Sequence, residues 1–172
     1  MKRIVLFFLI ALISFLVAAW ILTSFNKAEK VVLKVNRFDQ ELFSINAENV
    51  LEKSNKWGKK FGSFNEVFMT KIIQIPHLKE EKYYNHLLAF TKDKDMREAY
   101  DSTALLFLNF SDIRHDLELG FSNFSAFFPS YPIPEITTFF GGFNFGVVTY
   151  DDNIAIGLEN FLGKNSKYYK YL

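Results

Sequence analysis

Apolar and polar positions follow three regimes along the chain. In the first, residues 4–22 (IVLFFLIALISFLVAAWIL) are apolar except for Ser14, with Lys2 and Arg3 before them and Lys27 as the next charge. At 1.5 Å rise per residue such a helix spans about 28 Å, close to the hydrocarbon thickness of a bilayer. This predicts a signal anchor or signal peptide over residues 1–26. Val17, Ala18 and Ala19 offer the small residues that signal peptidase requires, whereas Trp20, Ile21 and Leu22 prolong the run as an anchor would. The basic flank stays cytoplasmic, which sends everything after about residue 25 outside.

In the second regime the apolar period is close to 3.6. After an alternating stretch at residues 31–35, which predicts a strand, Asn46 is a candidate N-cap for a helix over 47–60 striped by Val50, Leu51, Trp57 and Phe61. Residues 63–76 predict a second helix that stops at or before Ile75, because Pro76 disfavours helical geometry in the residue preceding it. Tyr83, Leu87 and Phe90 stripe a third. Asp95, with Glu98 three residues on, starts a fourth whose stripe is Met96, Tyr100, Ala104 and Phe107. Ser111 caps a fifth, in which Ile113, Leu117, Phe121, Phe124 and Phe128 recur before Pro129.

In the third regime the period falls to 2. Ile136, Thr138 and Phe140 alternate, Gly141 and Gly142 permit a two-residue turn, and Phe143, Phe145, Val147 and Thr149 alternate again. Asp151, Asp152 and Asn153 predict a three-residue turn with Asn153 at positive φ, followed by a last strand through Ile154, Ile156 and Leu158. Ala155 and Gly157 leave one face of that strand small, as close packing against another element requires. The expected fold is α+β: a mainly helical layer and then a three-stranded antiparallel β-meander, in one domain over residues 27–172.

Composition narrows the chemistry. Lys2 and Arg3 aside, 18 basic face 19 acidic side chains, and nothing in that balance attracts nucleic acid. With no cysteine in the chain, disulfides, thiolate nucleophiles and Cys-ligated metals are excluded. His77, His86 and His115 form no HExxH pair, and the DIRHDLE cluster (Asp112, His115, Asp116, Glu118) reads as a solvated helix face. DKD at 93–95 lacks the glycine and glutamate of a calcium loop. NFS occurs at 109–111 and 123–125, both inside predicted helices, and so reads as coincidence. The tail, where Lys164, Lys167 and Lys170 interleave with Tyr168, Tyr169 and Tyr171, reads as a solvated last segment. Asp151 and Asp152, with Asn144, are weak ligand candidates whose residue types suit turns equally well. No catalytic residue, cofactor, metal or small-molecule substrate is predicted.

Four segments together resemble the gliding-motility lipoprotein B family (GldB-like) of Bacteroidota. They are VNRFDQELF (35–43), DKDMREAY (93–100), the Phe-rich helix ending FFP (127–129), and the run from IPEITT to NSKYY (133–169). The pattern GFNFG, DDNIAIGL, FLG inside the last is the most specific. The resemblance implies an envelope protein outside the inner membrane, partnered with other motility and export proteins. Family members carry a lipobox cysteine and continue past the position of Leu172 into a zinc-peptidase-like region with a metal-motif helix. The resemblance therefore implies an unlipidated N-terminal half, whose segment 4–22 either anchors it or is removed. Its meander would expose Phe139, Phe143 or Phe145 where the further helix packs. Two functions are expected: a non-enzymatic accessory protein of the motility and export machinery, or a fragment of a zinc-peptidase-like, degenerate enzyme.

Overall fold

The computed structural model describes residues 10–20, 29–75 and 80–171. Residues 10–20 are helical (α1) and nearly all exposed; the rest of the predicted anchor lies outside the described residues. Among the described residues no helix is long and apolar enough to cross a membrane. The chain then runs β1 (Val35–Arg37), α2 (Phe38–Phe43), α3 (Val50–Phe61), α4 (Ser63–Val67) with a π turn (Phe68–Ile72), α5 (Glu80–Lys92), α6 (Lys94–Leu106) and α7 (Ser111–Phe127). It ends with β2 (Ile136–Phe139), β3 (Val147–Tyr150), β4 (Asn153–Gly157) and two 3-10 turns, Leu158–Phe161 and Lys167–Tyr171.

The fold is α+β, but the predicted antiparallel meander is wrong. The sheet has four strands in the order β1-β2-β4-β3, with β1 and β4 both parallel to β2 and only β3 antiparallel, to β4. A parallel neighbour requires a crossover, and α2 to α7 supply it between β1 and β2. Gly141 and Gly142 therefore make no hairpin; they begin a crossing from β2 to the far side of β4. A Cβ at Gly141 would lie 2.5 Å from Ile72 Cγ2, so glycine stands there because β2 leaves the sheet against the π turn. Alternation misleads because all four residues of β2 are buried. Thr137 bonds the Tyr150 hydroxyl at 2.8 Å and Thr138 donates to Asp39, so both polar positions are satisfied inside.

The core is aromatic. Phe38 is fully buried, and its ring centre lies 4.8–5.3 Å from those of Trp57, Phe61, Phe64 and Phe68, edge to face in each case. Val50, Trp57 and Phe61 carry the α3 stripe as predicted, while Leu51 is exposed. Asn46 caps a preceding turn, accepting from the Glu48 and Asn49 N–H groups, and α3 begins only at Val50. The second helix does end before Ile75, closing with a π-type bond from Ile73 N–H to the Phe68 carbonyl. The α6 cap is Asp93, not Asp95: its Oδ1 accepts from Asp95 N–H and Met96 N–H at 3.0 Å each. Ser111 does not cap α7; it is the first helical residue, its own N–H held by Asn109 Oδ1. Asn109 thus lies between α6 and α7, past the end of the helix predicted to contain it.

The α7 stripe behaves unlike the others. Ile113, Leu117 and Phe121 are only half-buried, Phe124 and Phe128 are exposed, and Ser122 is its single buried residue. The helix is held by polar ties to an extended segment that precedes β1. Val31 N–H donates to Ser122 Oγ at 3.0 Å, Leu33 N–H to Glu118 Oε1 at 3.0 Å, and Arg114 to the Leu33 carbonyl at 2.6 Å. These side chains satisfy backbone groups where the chain enters the β1 edge.

Candidate functional site

The acidic turn is smaller than predicted. Tyr150 pairs with Asn153, so the turn is only Asp151 and Asp152; Asp151 takes the positive φ, 47°, and Asn153 opens β4. Asp151 accepts from Ser63 Oγ, which ties the turn to the start of α4, and Asp152 is exposed. Asn144 lies elsewhere. Its amide donates to the carbonyls of Ile72 at 3.3 Å and Gly141 at 3.2 Å, holding the crossing loop to the π turn. The structure does not bring these three residues together. His86 and His115 are exposed on α5 and α7, and His77 lies outside the described residues. Among the described residues no three His, Cys, Asp or Glu groups are gathered as a metal site.

Two carboxylates that the sequence did not single out are fully buried. Arg37 closes a fork on Asp39, Nε to Oδ1 at 2.9 Å and an Nη to Oδ2 at 2.7 Å, while its other Nη donates to the Phe107 carbonyl at 3.0 Å. Thr138 Oγ1 also donates to Asp39 Oδ1. Arg37, Phe38 and Asp39 thus join β1, α2, the end of α6 and β2. Their role is structural: the guanidinium and the Thr138 hydroxyl put donors on both oxygens of the buried carboxylate, which compensates its lost hydration.

Glu159 follows β4 in the first 3-10 turn. Its Oε1 accepts from Gly141 N–H at 2.6 Å and Phe143 N–H at 3.2 Å, stapling the crossing loop, while buried Oε2 has no partner. Loss of hydration, with a smaller contribution from the Asp39 charge, pushes its carboxyl up to about 7, against the pull of the Gly141 and Phe143 N–H groups and its own backbone N–H. A glutamate directly after an apolar strand was the available signal, and burial was not readable from it.

The predicted solvated tail instead packs on the domain. Tyr168 lies over Phe143 with centroids 5.9 Å apart, and its hydroxyl donates to the Glu98 carbonyl at 3.0 Å. Tyr169 Oη donates to the Glu159 carbonyl at 3.0 Å and accepts from Leu162 N–H at 2.8 Å. Between the tail and α6 lies a cleft of about 430 Å³, lined by Met96, Ala99, Phe143, Lys167 and Tyr168 among others. Lys167 and Glu98 on its wall are already paired with each other.

The open side of β3 carries the other surface feature. Gly157 N–H donates to the Gly146 carbonyl at 2.8 Å, and Tyr150 opposes Asn153. Hydrogen-bonded pairs alternate along an antiparallel ladder, so the peptide groups of Val147 and Thr149 point away from β4. Among the described residues no strand pairs with β3 on that side. Val147 is 57% exposed, and Phe145 and Phe161 are exposed beside it. Phe145 meets the expectation of an uncovered aromatic; Phe139 does not, being fully buried, and Phe143 is half-buried under the tail tyrosines. The small face of β4 is used within the chain itself. A Cβ at Gly157 would lie 2.3 Å from the Phe145 carbonyl oxygen and 3.1 Å from the Phe139 ring.

A family model described as gliding motility protein GldB matches residues 23–172. No curated protein and no solved structure matches the chain.

Proposed function

The chain belongs to the gliding motility protein GldB family, and we propose that it acts in the cell envelope as an accessory protein of the gliding and export machinery, by protein contact rather than catalysis. In this reading residues 4–22 hold it to the membrane and the domain 27–172 works outside the cytoplasm. Because the chain has no cysteine, attachment runs through the apolar segment and not through a lipidated thiol.

The observation that supports contact as the mode of action is the β3 edge. Its VVTY sequence has neither proline nor charge, the devices that usually blunt an open edge. An extended segment of a partner can add a strand there, with Phe145, Val147 and Phe161 giving it apolar grip. Thr149→Pro removes an outward N–H without touching the ladder to β4. In cells whose own copy is deleted, the Thr149→Pro protein is expected to accumulate normally yet restore colony spreading poorly, whereas Asp152→Ser restores it. Normal spreading of the deletion strain would reject the motility role; full rescue by Thr149→Pro would reject the edge as the contact.

A further inference from the structure

We infer that the C-terminal tip of α7, with the turn that follows it, docks into the headgroup region of the bilayer beside the N-terminal apolar segment. This rests on the reading above that residues 4–22 enter a membrane.

Three observations converge on the tip. The first is charge. Asp112, Arg114, His115, Asp116 and Glu118 crowd the first half of α7, and then residues 119–134 contain no charged side chain. The second is exposure. Within that charge-free stretch Leu119 is 52%, Phe128 50% and Tyr131 64% exposed, and Phe124 joins them; the Phe124 and Phe128 rings touch at 4.9 Å, with Tyr131 edge-on to Phe128 at 6.1 Å. An exposed aromatic cluster of this kind marks an interaction site, and its composition is that of side chains that settle at the lipid–water boundary.

The third observation is the path of the chain, which selects lipid as the occupant. Val31 bonds Ser122 and Leu33 bonds Glu118, so the extended segment runs antiparallel to α7. Residues 29 and 30 therefore lead into it from the Phe124–Tyr131 end. The eight residues 23–30 reach at most about 30 Å fully extended, so an inserted segment 4–22 keeps this tip near the membrane surface. The charged half of α7 then points away from the bilayer. With one attachment already made, burial of a few aromatic side chains about 5–10 Å deep is enough to orient the domain.

The absence of cysteine makes the test clean, since a single introduced thiol is the only labelling site. Protein carrying Ser130→Cys, or Lys94→Cys at the exposed start of α6, is labelled with an environment-sensitive fluorophore. Each is reconstituted in phosphatidylcholine vesicles containing a headgroup-region spin-labelled lipid. Flotation reports membrane attachment, and quenching reports the tip. Docking predicts that both proteins float and that lipid quenching is at least about threefold stronger at position 130 than at 94. A charge-free tip further predicts that the difference survives high salt. Phe124→Ser with Phe128→Ser is expected to abolish it without changing flotation. Floating protein with equal quenching at the two positions overturns the docking alone. A label at 130 shielded from both lipid and aqueous quenchers indicates a second copy or another protein over the tip, and also overturns it. Protein that does not float overturns the anchor reading and the docking with it.

Discussion

Glu159 concentrates what single residues do in this fold. It holds Gly141 and Phe143 through one oxygen and leaves the other buried without a partner. Its carboxyl titrates near 7 in the folded chain and near 4.5 when unfolded. Below the unfolded value both states are protonated and nothing is lost. As pH rises from about 4.5 to about 7 the folded state keeps a proton that the unfolded state has released, so stability falls across that window. The loss is roughly 3 kcal/mol at most, complete above pH 7. Glu159→Gln keeps the acceptor and removes the charge. Urea denaturation is therefore expected to show a variant that matches the wild type below pH 4.5 and exceeds it increasingly up to pH 7. A difference that does not change with pH would contradict the assignment. Asp39 is the contrasting case: its Arg37 fork and Thr138 donor satisfy its charge inside.

At the scale of elements, steric fit decides where the loops run. Gly157→Ala would push a methyl onto the Phe145 carbonyl at 2.3 Å, a backbone atom that cannot swing aside, and is expected to cost about 2 kcal/mol. Gly58, in open space on the exposed side of α3, makes the comparison: Gly58→Ala is expected to gain about 1 kcal/mol from helix propensity. Thermal or urea unfolding measures both, and equal shifts at the two sites would dismiss the packing argument. The same physics separates what was legible in the sequence from what was not. The α3 and α6 stripes were readable because each helix buries one face, and Pro76 announced the end of the second helix. The order of strands was not, because Thr137 and Thr138 look like solvent positions until Tyr150 and Asp39 are placed beside them. RFD was visible as a piece of a family pattern, but its role as the joint between β1 and the helical layer depends on partners about 70 and 100 residues away. The Asp151 turn was readable from residue type, but its length and the position of its left-handed residue were misplaced.

At the scale of the molecule, the aromatic core and α7 are differently attached. Phe38 and its four neighbouring rings bind β1 through the π turn into one unit, whereas α7 meets the chain mainly through Arg114, Glu118 and Ser122. Elements with little buried apolar surface open at lower free energy than the core does. The Leu33 N–H, and then Arg114, hold the Glu118 carboxyl below its ordinary value. A depressed carboxyl contributes stability above its unfolded value and loses it as pH falls through the folded one. Acid should therefore release α7 from residues 31–33 while the core remains closed. Hydrogen exchange on the wild type is expected to show Leu33 and α7 amides losing protection below about pH 4, ahead of β2. In Glu118→Ala the same amides should exchange about tenfold faster at neutral pH, with β2 unchanged. Equal loss of protection in β2 would mean that α7 opens only with the whole domain. The same ties hold the aromatic tip beside the N-terminal segment, so docking of the tip requires the attached state.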